Sequence, residues 1–145
     1  MINNVYIYFD TEFTSFESPK LLSLGAVSST LAEFYAEAEN FSIGECSDFV
    51  KQKVLTKFTG PSFSLDVISR KFVQWIESFH LNIVLLSDSQ YDRDIINTLC
   101  GYPIPLKSGF KCVWMSLPHS ITTNSHHALE DAWGLIKTFG RQYLT

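Results

Sequence analysis

One segment constrains this chain more than any other: VYIYFDTEF, in which Asp10 and Glu12 stand directly behind the apolar run Val5–Phe9. A continuous run of β-branched, aromatic and aliphatic residues predicts a buried strand, and side chains at i and i+2 of a strand share a face. Asp10 and Glu12 therefore project together. Two like charges side by side repel and are costly to bury, so a fold that sets them at the end of a core strand calls for a cation. A hard divalent ion suits such an all-oxygen site.

Length and composition set the frame for that strand. With 145 residues, 46% of them hydrophobic, the chain is expected to form one domain over residues 1–145 with a core of its own. No stretch of eighteen or more apolar residues is present, and Met1 to Asn4 lacks the basic start and apolar run of a signal peptide, so a soluble, cytoplasmic protein with no membrane partner is expected. Cys46, Cys100 and Cys112 are odd in number and follow no CxxC spacing, which predicts packed free thiols rather than disulfides or a zinc knuckle. The net charge of -4 argues at first against a nucleic-acid partner. Yet removing four acids as metal ligands from the 15 leaves eleven, the number of lysines and arginines, and bound divalent ions would supply the positive field locally. A site of that kind grips a few nucleotides at a chain end rather than a long duplex.

Strand signals cluster early, at Val5–Phe9, Leu21–Val27 and Glu33–Glu37. From Ser64 the apolar spacing turns helical through Leu65, Ile68, Phe72, Trp75 or Ile76, and Phe79, behind a Gly60-Pro61 turn. Asn82–Leu86 reads as a short buried strand, Asp92–Cys100 as a helix closed by Gly101, and Gly109–Met115 as a further strand. The last helix is expected from Asn124 or Ser125 to about Tyr143. The order β-β-β-α-β-α-(β)-α suits an α/β fold with a mixed sheet and helices on both faces better than a βαβ repeat. Residues 41–58 are the least legible; Lys51, Lys53 and Lys57 there, on a short helix, read as a solvated face that could also meet phosphate.

More acids follow in the middle and last segments. In NIVLLSDSQYDRDII, Asp88, Asp92 and Asp94 come just after a strand whose end could reach Asp10 and Glu12. Asp94 sits beside Arg93 inside the helix and reads as a solvated acid, Asp88 reads as a turn or helix cap, and Asp92, behind Tyr91, is the sharper candidate. In the final helix Leu129, Trp133, Ile136, Gly140 and Tyr143 form one stripe, with Asp131 on its flank beside Ala128, Gly134 and Leu135. An aspartate there without a partner would be costly, so Asp131 must be exposed, hydrogen-bonded or coordinating. His126 and His127 precede it. By helical spacing His127 shares the face of Asp131.

Taken together, FDTEF, SDSQYDRDII and HHALEDA resemble the three motifs of the DEDD exonucleases, in the DEDDh subgroup whose last motif is His-x-Ala-x-x-Asp-Ala, on the ribonuclease H-like fold. LLSLGAV is similar to that family's second strand, so the resemblance covers nearly the whole chain. The Asp-Thr-Glu-Phe start and small size are most similar to the compact RNase T-like 3'-5' exoribonucleases. The resemblance implies a mixed sheet flanked by helices on both faces, Asp10, Glu12, Asp92 and Asp131 as ligands of two Mg2+ or Mn2+ ions, and His126 as general base. It also implies contact with the terminal nucleotide by Phe13, Thr11 and Tyr91, Phe13 stacking on the base. Two positions depart from the pattern: Thr14-Ser15 stands where many relatives have Thr-Gly, and Asp88 where many have Asn.

The expected reaction is hydrolysis of single-stranded RNA or DNA from its 3' end to nucleoside 5'-monophosphates, with RNA favoured. Two ions about 4 Å apart would neutralise charge on the attacking and leaving oxygens while the histidine takes the proton from water. A proofreading or processing deoxyribonuclease is the alternative, and a module of the same fold that binds without cleaving is the alternative from another class. A ribonuclease H-type endonuclease would not predict the His-x-Ala-x-x-Asp-Ala segment, and a zinc site would need more nitrogen or sulfur ligands. By resemblance alone, a homodimer is expected.

Overall fold

The computed structural model describes residues 4–39, 41–107, 109–118 and 125–143, with side chains in the last segment up to residue 140. Strand β1 spans Asn4–Phe13, β2 Leu21–Ser28 and β3 Glu33–Ala38; α1 (Asp48–Lys53) and the two-residue β4 (Ser62–Phe63) follow. Then come α2 (Leu65–Glu77), β5 (Asn82–Ser87), α3 (Gln90–Cys100), β6 (Cys112–Ser116) and α4 (Ala128–Tyr143). The Asn124 start expected for the last helix lies outside the described residues, as does the Tyr143 side chain.

The strands form one mixed sheet in the order β4-β3-β2-β1-β5-β6. The β1-β2-β3 meander is antiparallel, whereas β5 pairs parallel to β1, β6 parallel to β5, and β4 parallel to β3. Alternation along β1 divides the core. Val5, Ile7 and Phe9 join Ile68, Phe72 and Ile76 of α2 and Ile95 and Ile96 of α3 in one cluster. Tyr8 joins Ala132, Leu135, Ile136 and Phe139 of α4 in another. The fold is thus α/β, with α2 and α3 on one face and α4 on the other.

Two local features depart from the sequence reading. The first is the length of β1, which continues through both acids to Phe13, because β2 keeps pairing with it as far as Leu21. Parallel pairing with β5 stops at Tyr8–Leu86, so the acidic end of β1 projects past β5. The second is the buried face of α4, which takes in Ala128, Ala132, Leu135 and Phe139 beside Ile136 and Gly140 of the expected stripe, while Leu129 and Trp133 are only partly buried. Small residues win there because α4 lies close on β2. Trp133 is left at the margin, where its indole N–H donates to Glu33 (2.6 Å).

Residues 41–58 do contain a short helix, α1, bracketed by 3-10 turns at Ile43–Glu45 and Leu55–Lys57. It is held by a small cluster of its own, Cys46, Val50 and Val54 against Leu22 of β2. Lys51 lies 3.9 Å from Asp48, while Lys53 and Lys57 are exposed. The three cysteines are free thiols. Among the described residues no helix is long and apolar enough to cross a membrane.

Candidate metal centre

The parity of β1 decides which helix meets which acid. Asp10 and Glu12 have the parity of Tyr8 and so face α4, whose first turn carries Asp131. Carboxylate oxygens of Asp10, Glu12 and Asp131 all lie within 4.8 Å of one another. A second group, Asp10, Asp88 and Asp92, meets the same limit. The two groups share Asp10, so the carboxylates brought from β1, from the β5–α3 junction and from α4 form one continuous acidic centre.

Asp92 is the most firmly held of the set. It is 2% exposed. The Thr11 hydroxyl and amide donate to Oδ1 at 2.6 and 3.2 Å, and the Ser87 hydroxyl donates to Oδ2 at 2.7 Å. Thr11 faces away from Asp10 because strand neighbours alternate, and this is how β1 reaches α3 behind the site. Thr11 is buried, and its amide and hydroxyl both donate to Asp92.

Asp88 does not cap α3. The α3 cap is Ser89, whose hydroxyl accepts from the Tyr91 amide (3.2 Å), and Asp88 instead joins the acidic group. The signal was its place directly behind β5, where the parallel strands end. Asp94 stays outside, exposed and accepting from Gln90 Nε2 (2.8 Å).

Asp131 is fixed by its own loop: the Ser125 amide and hydroxyl donate to Oδ1 at 2.8 and 2.9 Å. Its Oδ2 is buried and has no hydrogen-bond partner among the described residues. Close approach of α4 makes this placement possible. Gly25 pairs with Asp10 across the β1–β2 ladder, and a Cβ there would collide with the Ala128–Leu129 backbone.

The electrostatics match the geometry. Burial first, then the neighbouring carboxylates Asp92, Glu12, Asp131 and Asp88, hold Asp10 well above the ordinary carboxyl range. Glu12 is pushed up to about 8 by burial and by Asp131 and Asp92. Asp92 rises to about 6, burial outweighing the hydrogen bonds from Thr11 and Ser87. Asp131 is raised by burial, an effect opposed by Ser125 and by the charge of His126. Without a cation these carboxyls keep their protons to higher pH than ordinary ones, since adjacent like charges disfavour one another's ionisation.

Both histidines precede α4, and the His127 carbonyl accepts its first helical hydrogen bond, from the Asp131 amide (2.9 Å). His127 stacks on Tyr35 (4.7 Å between centroids, 18° between planes), with Nδ1 buried and unpartnered among the described residues. Tyr35 is fixed beneath it by a hydrogen bond to buried Glu37 (2.5 Å). His126 has a left-handed backbone (φ 61°) and meets the ring of Phe49 edge to face at 4.9 Å. Helical spacing does not apply to this pair, because neither histidine is inside the helix.

An aromatic group forms where the end of β1 meets the start of α3. Phe13 stacks on Tyr91 (5.5 Å, 22°), and Phe16 sets its ring against both. Phe16, 70% exposed, and Tyr91 also line a cavity of about 610 Å3 closed by Leu21, Leu65, Ile95 and Leu99. The sequence reading included Phe13 and Tyr91 but missed Phe16, which has no periodic signal in its loop.

No protein-family model matches this chain, and no curated protein matches it. The fold and the centre therefore define its class by themselves: an α/β domain with a carboxylate cluster at the carboxyl end of its parallel strands, where α/β sheets commonly place their sites.

Proposed function

We propose that this chain is a metal-dependent 3'-5' exonuclease of the DEDDh type, hydrolysing single-stranded nucleic-acid ends, RNA in preference to DNA, to nucleoside 5'-monophosphates. The observation that carries this reading is the pair of acidic groups sharing Asp10, with His126 on the loop that leads into α4, five residues before Asp131. The six-stranded mixed sheet is compatible with a ribonuclease H-like fold. The preference for RNA rests on the likeness of the Asp-Thr-Glu-Phe start to exoribonucleases.

The residues fit two Mg2+ or Mn2+ ions. Every donor is a hard oxygen, and the buried Oδ2 of Asp131 has no partner among the described residues. Asp10, Glu12 and Asp131 would hold one ion, and Asp10 with Asp88 and Asp92 the other. When bound, such a pair activates water and neutralises charge on the attacking and leaving oxygens of a phosphodiester. The protein supplies the rest. His126 accepts the proton of the attacking water, since it stands on the loop before α4 at the edge of the centre. Thr11 and Ser87 keep Asp92 ionisable and oriented. Phe13, Tyr91 and Phe16 offer ring faces to an unpaired base, which favours a single strand over a stacked duplex.

The test is digestion of 5'-labelled single-stranded RNA and matched DNA with magnesium, manganese or chelator. The expected result is a ladder shortening from the 3' end, faster on RNA, abolished by chelator and absent on circular substrate. Full activity in chelator overturns the two-ion reading, and faster cleavage of DNA replaces the ribonuclease by a deoxyribonuclease. Binding without cleavage under every metal condition leaves a binding module.

A further inference from the structure

Phe49 is a large apolar side chain in an unusual place. It is 52% exposed and belongs to none of the apolar clusters, although Val50 beside it and Val54 beyond it are buried. Its ring contact is with the imidazole of His126, edge to face at 4.9 Å and 86°. We infer that Phe49 is a positioning residue for His126, an inference that rests on the nuclease reading above.

The mount on which Phe49 stands supports this. The Ser47 hydroxyl caps α1 through the Val50 amide (3.2 Å), and the Ser47 amide donates to the carbonyl of Thr14 (3.0 Å), two residues beyond Glu12. Val50 and Val54 pack on Leu22, next to Ser23, the ladder partner of Glu12. The helix carrying Phe49 is therefore anchored to the same strand ends that carry the acids. Phe49 is thus carried on a helix tied to the strands that hold Glu12 and its ladder partner Ser23.

His126 needs such a hold. Its left-handed backbone is one that residues with a Cβ adopt at a cost, so contacts around it must maintain it. On one side Ser125 ties the loop to Asp131. On the other, the Phe49 ring limits the imidazole to orientations that keep it beside the centre. Edge-to-face packing suits this task, because it restrains a ring without consuming either imidazole nitrogen.

A ring exposed to this degree could instead stack on a base of the substrate, and kinetics separates the two roles. Phe49→Ala, Phe49→Leu and Phe49→Tyr are compared in the wild-type and His126→Ala backgrounds by steady-state and single-turnover hydrolysis of labelled RNA. The imidazole C–H resonances of His126 are followed by NMR in the metal-free protein. Positioning predicts that Phe49→Ala and Phe49→Leu lower kcat about fivefold to tenfold with KM unchanged. It also predicts that Phe49→Tyr restores the rate, that no further loss occurs without His126, and that the His126 resonances move when the ring is removed. A change in KM alone, an equal loss in the His126→Ala background, or unmoved resonances overturns it. If wild type fails to hydrolyse RNA or DNA, the nuclease reading fails and takes the base with it. If wild type and Phe49→Ala are equally active, the inference alone fails.

Discussion

Gly25 lies opposite Asp10 in the β1–β2 ladder, and the space left by its missing side chain is filled by the Ala128–Leu129 backbone of α4. A single hydrogen on β2 thus sets how near Asp131 comes to Asp10 and Glu12. Gly25→Ala should force the first turn of α4 outward, costing about 1–3 kcal/mol of stability as overpacking does. It should also lose the thermal stabilisation by Mg2+ that wild type is expected to show. Thermal unfolding with and without the ion checks this, and an unaltered Mg2+ response would show that the close approach is not what assembles the centre.

The acids predict an inverted pH dependence for the metal-free protein. Asp92 at about 6 and Glu12 at about 8 bind protons more tightly in the folded chain than in the unfolded one. Their contribution to stability is therefore complete below the ordinary carboxyl range and is lost as pH rises through those values. Metal-free protein should unfold more easily at pH 8 than at pH 5, and Mg2+ should reverse the difference. Glu12→Gln should gain on wild type progressively over that interval. Unfolding midpoints measured in chelator across pH decide it, and a parallel pair of curves would refute the assignment.

The third expectation concerns Thr11, which is buried behind the centre. Thr11→Val removes the 2.6 Å hydrogen bond to Asp92 while keeping the volume, and should lower activity or metal affinity about tenfold to a hundredfold, the usual worth of a residue that orients a ligand. Thr11→Ser should retain most of it. Metal titrations of hydrolysis for both variants provide the measurement.

Among the acids at the β5–α3 junction, Asp92→Asn should cost far more activity than Asp88→Asn, because Asp92 is buried and fixed by three donors. Asp88→Asn should raise the Mg2+ concentration needed for half-maximal rate. The reverse ranking would make Asp88 the principal ligand.

For the paired histidines, His126→Ala should lower turnover roughly a hundredfold to ten-thousandfold, as loss of a general base does, with metal binding kept. His127→Ala should do much less, since its ring is packed on Tyr35. Single-turnover rates across pH separate the two, and a larger loss in His127→Ala would transfer the role to it.

The amino-acid pattern by itself determined the elements that report on their own periodicity. The apolar run of β1, the alternation through β3 and the helical spacing from Leu65 onward are local properties, visible without knowing what each segment packs against. The pairing of Asp10 with Glu12 belongs to this group, because strand geometry alone puts i and i+2 on one face. Only the tertiary structure decided the rest. Asp88 joins the acids and Ser89 takes the cap because β5 ends where β1 continues, a consequence of sheet register. Thr11 turns to Asp92 because α3 packs behind β1, and the buried face of α4 follows Ala128 and Ala132 because Gly25 admits them. Phe49 reaches His126 across 77 residues of chain by way of a helix too short to show a period. Local patterns record the burial each residue requires, whereas the meeting of distant side chains depends on register and close approach, which no single segment encodes.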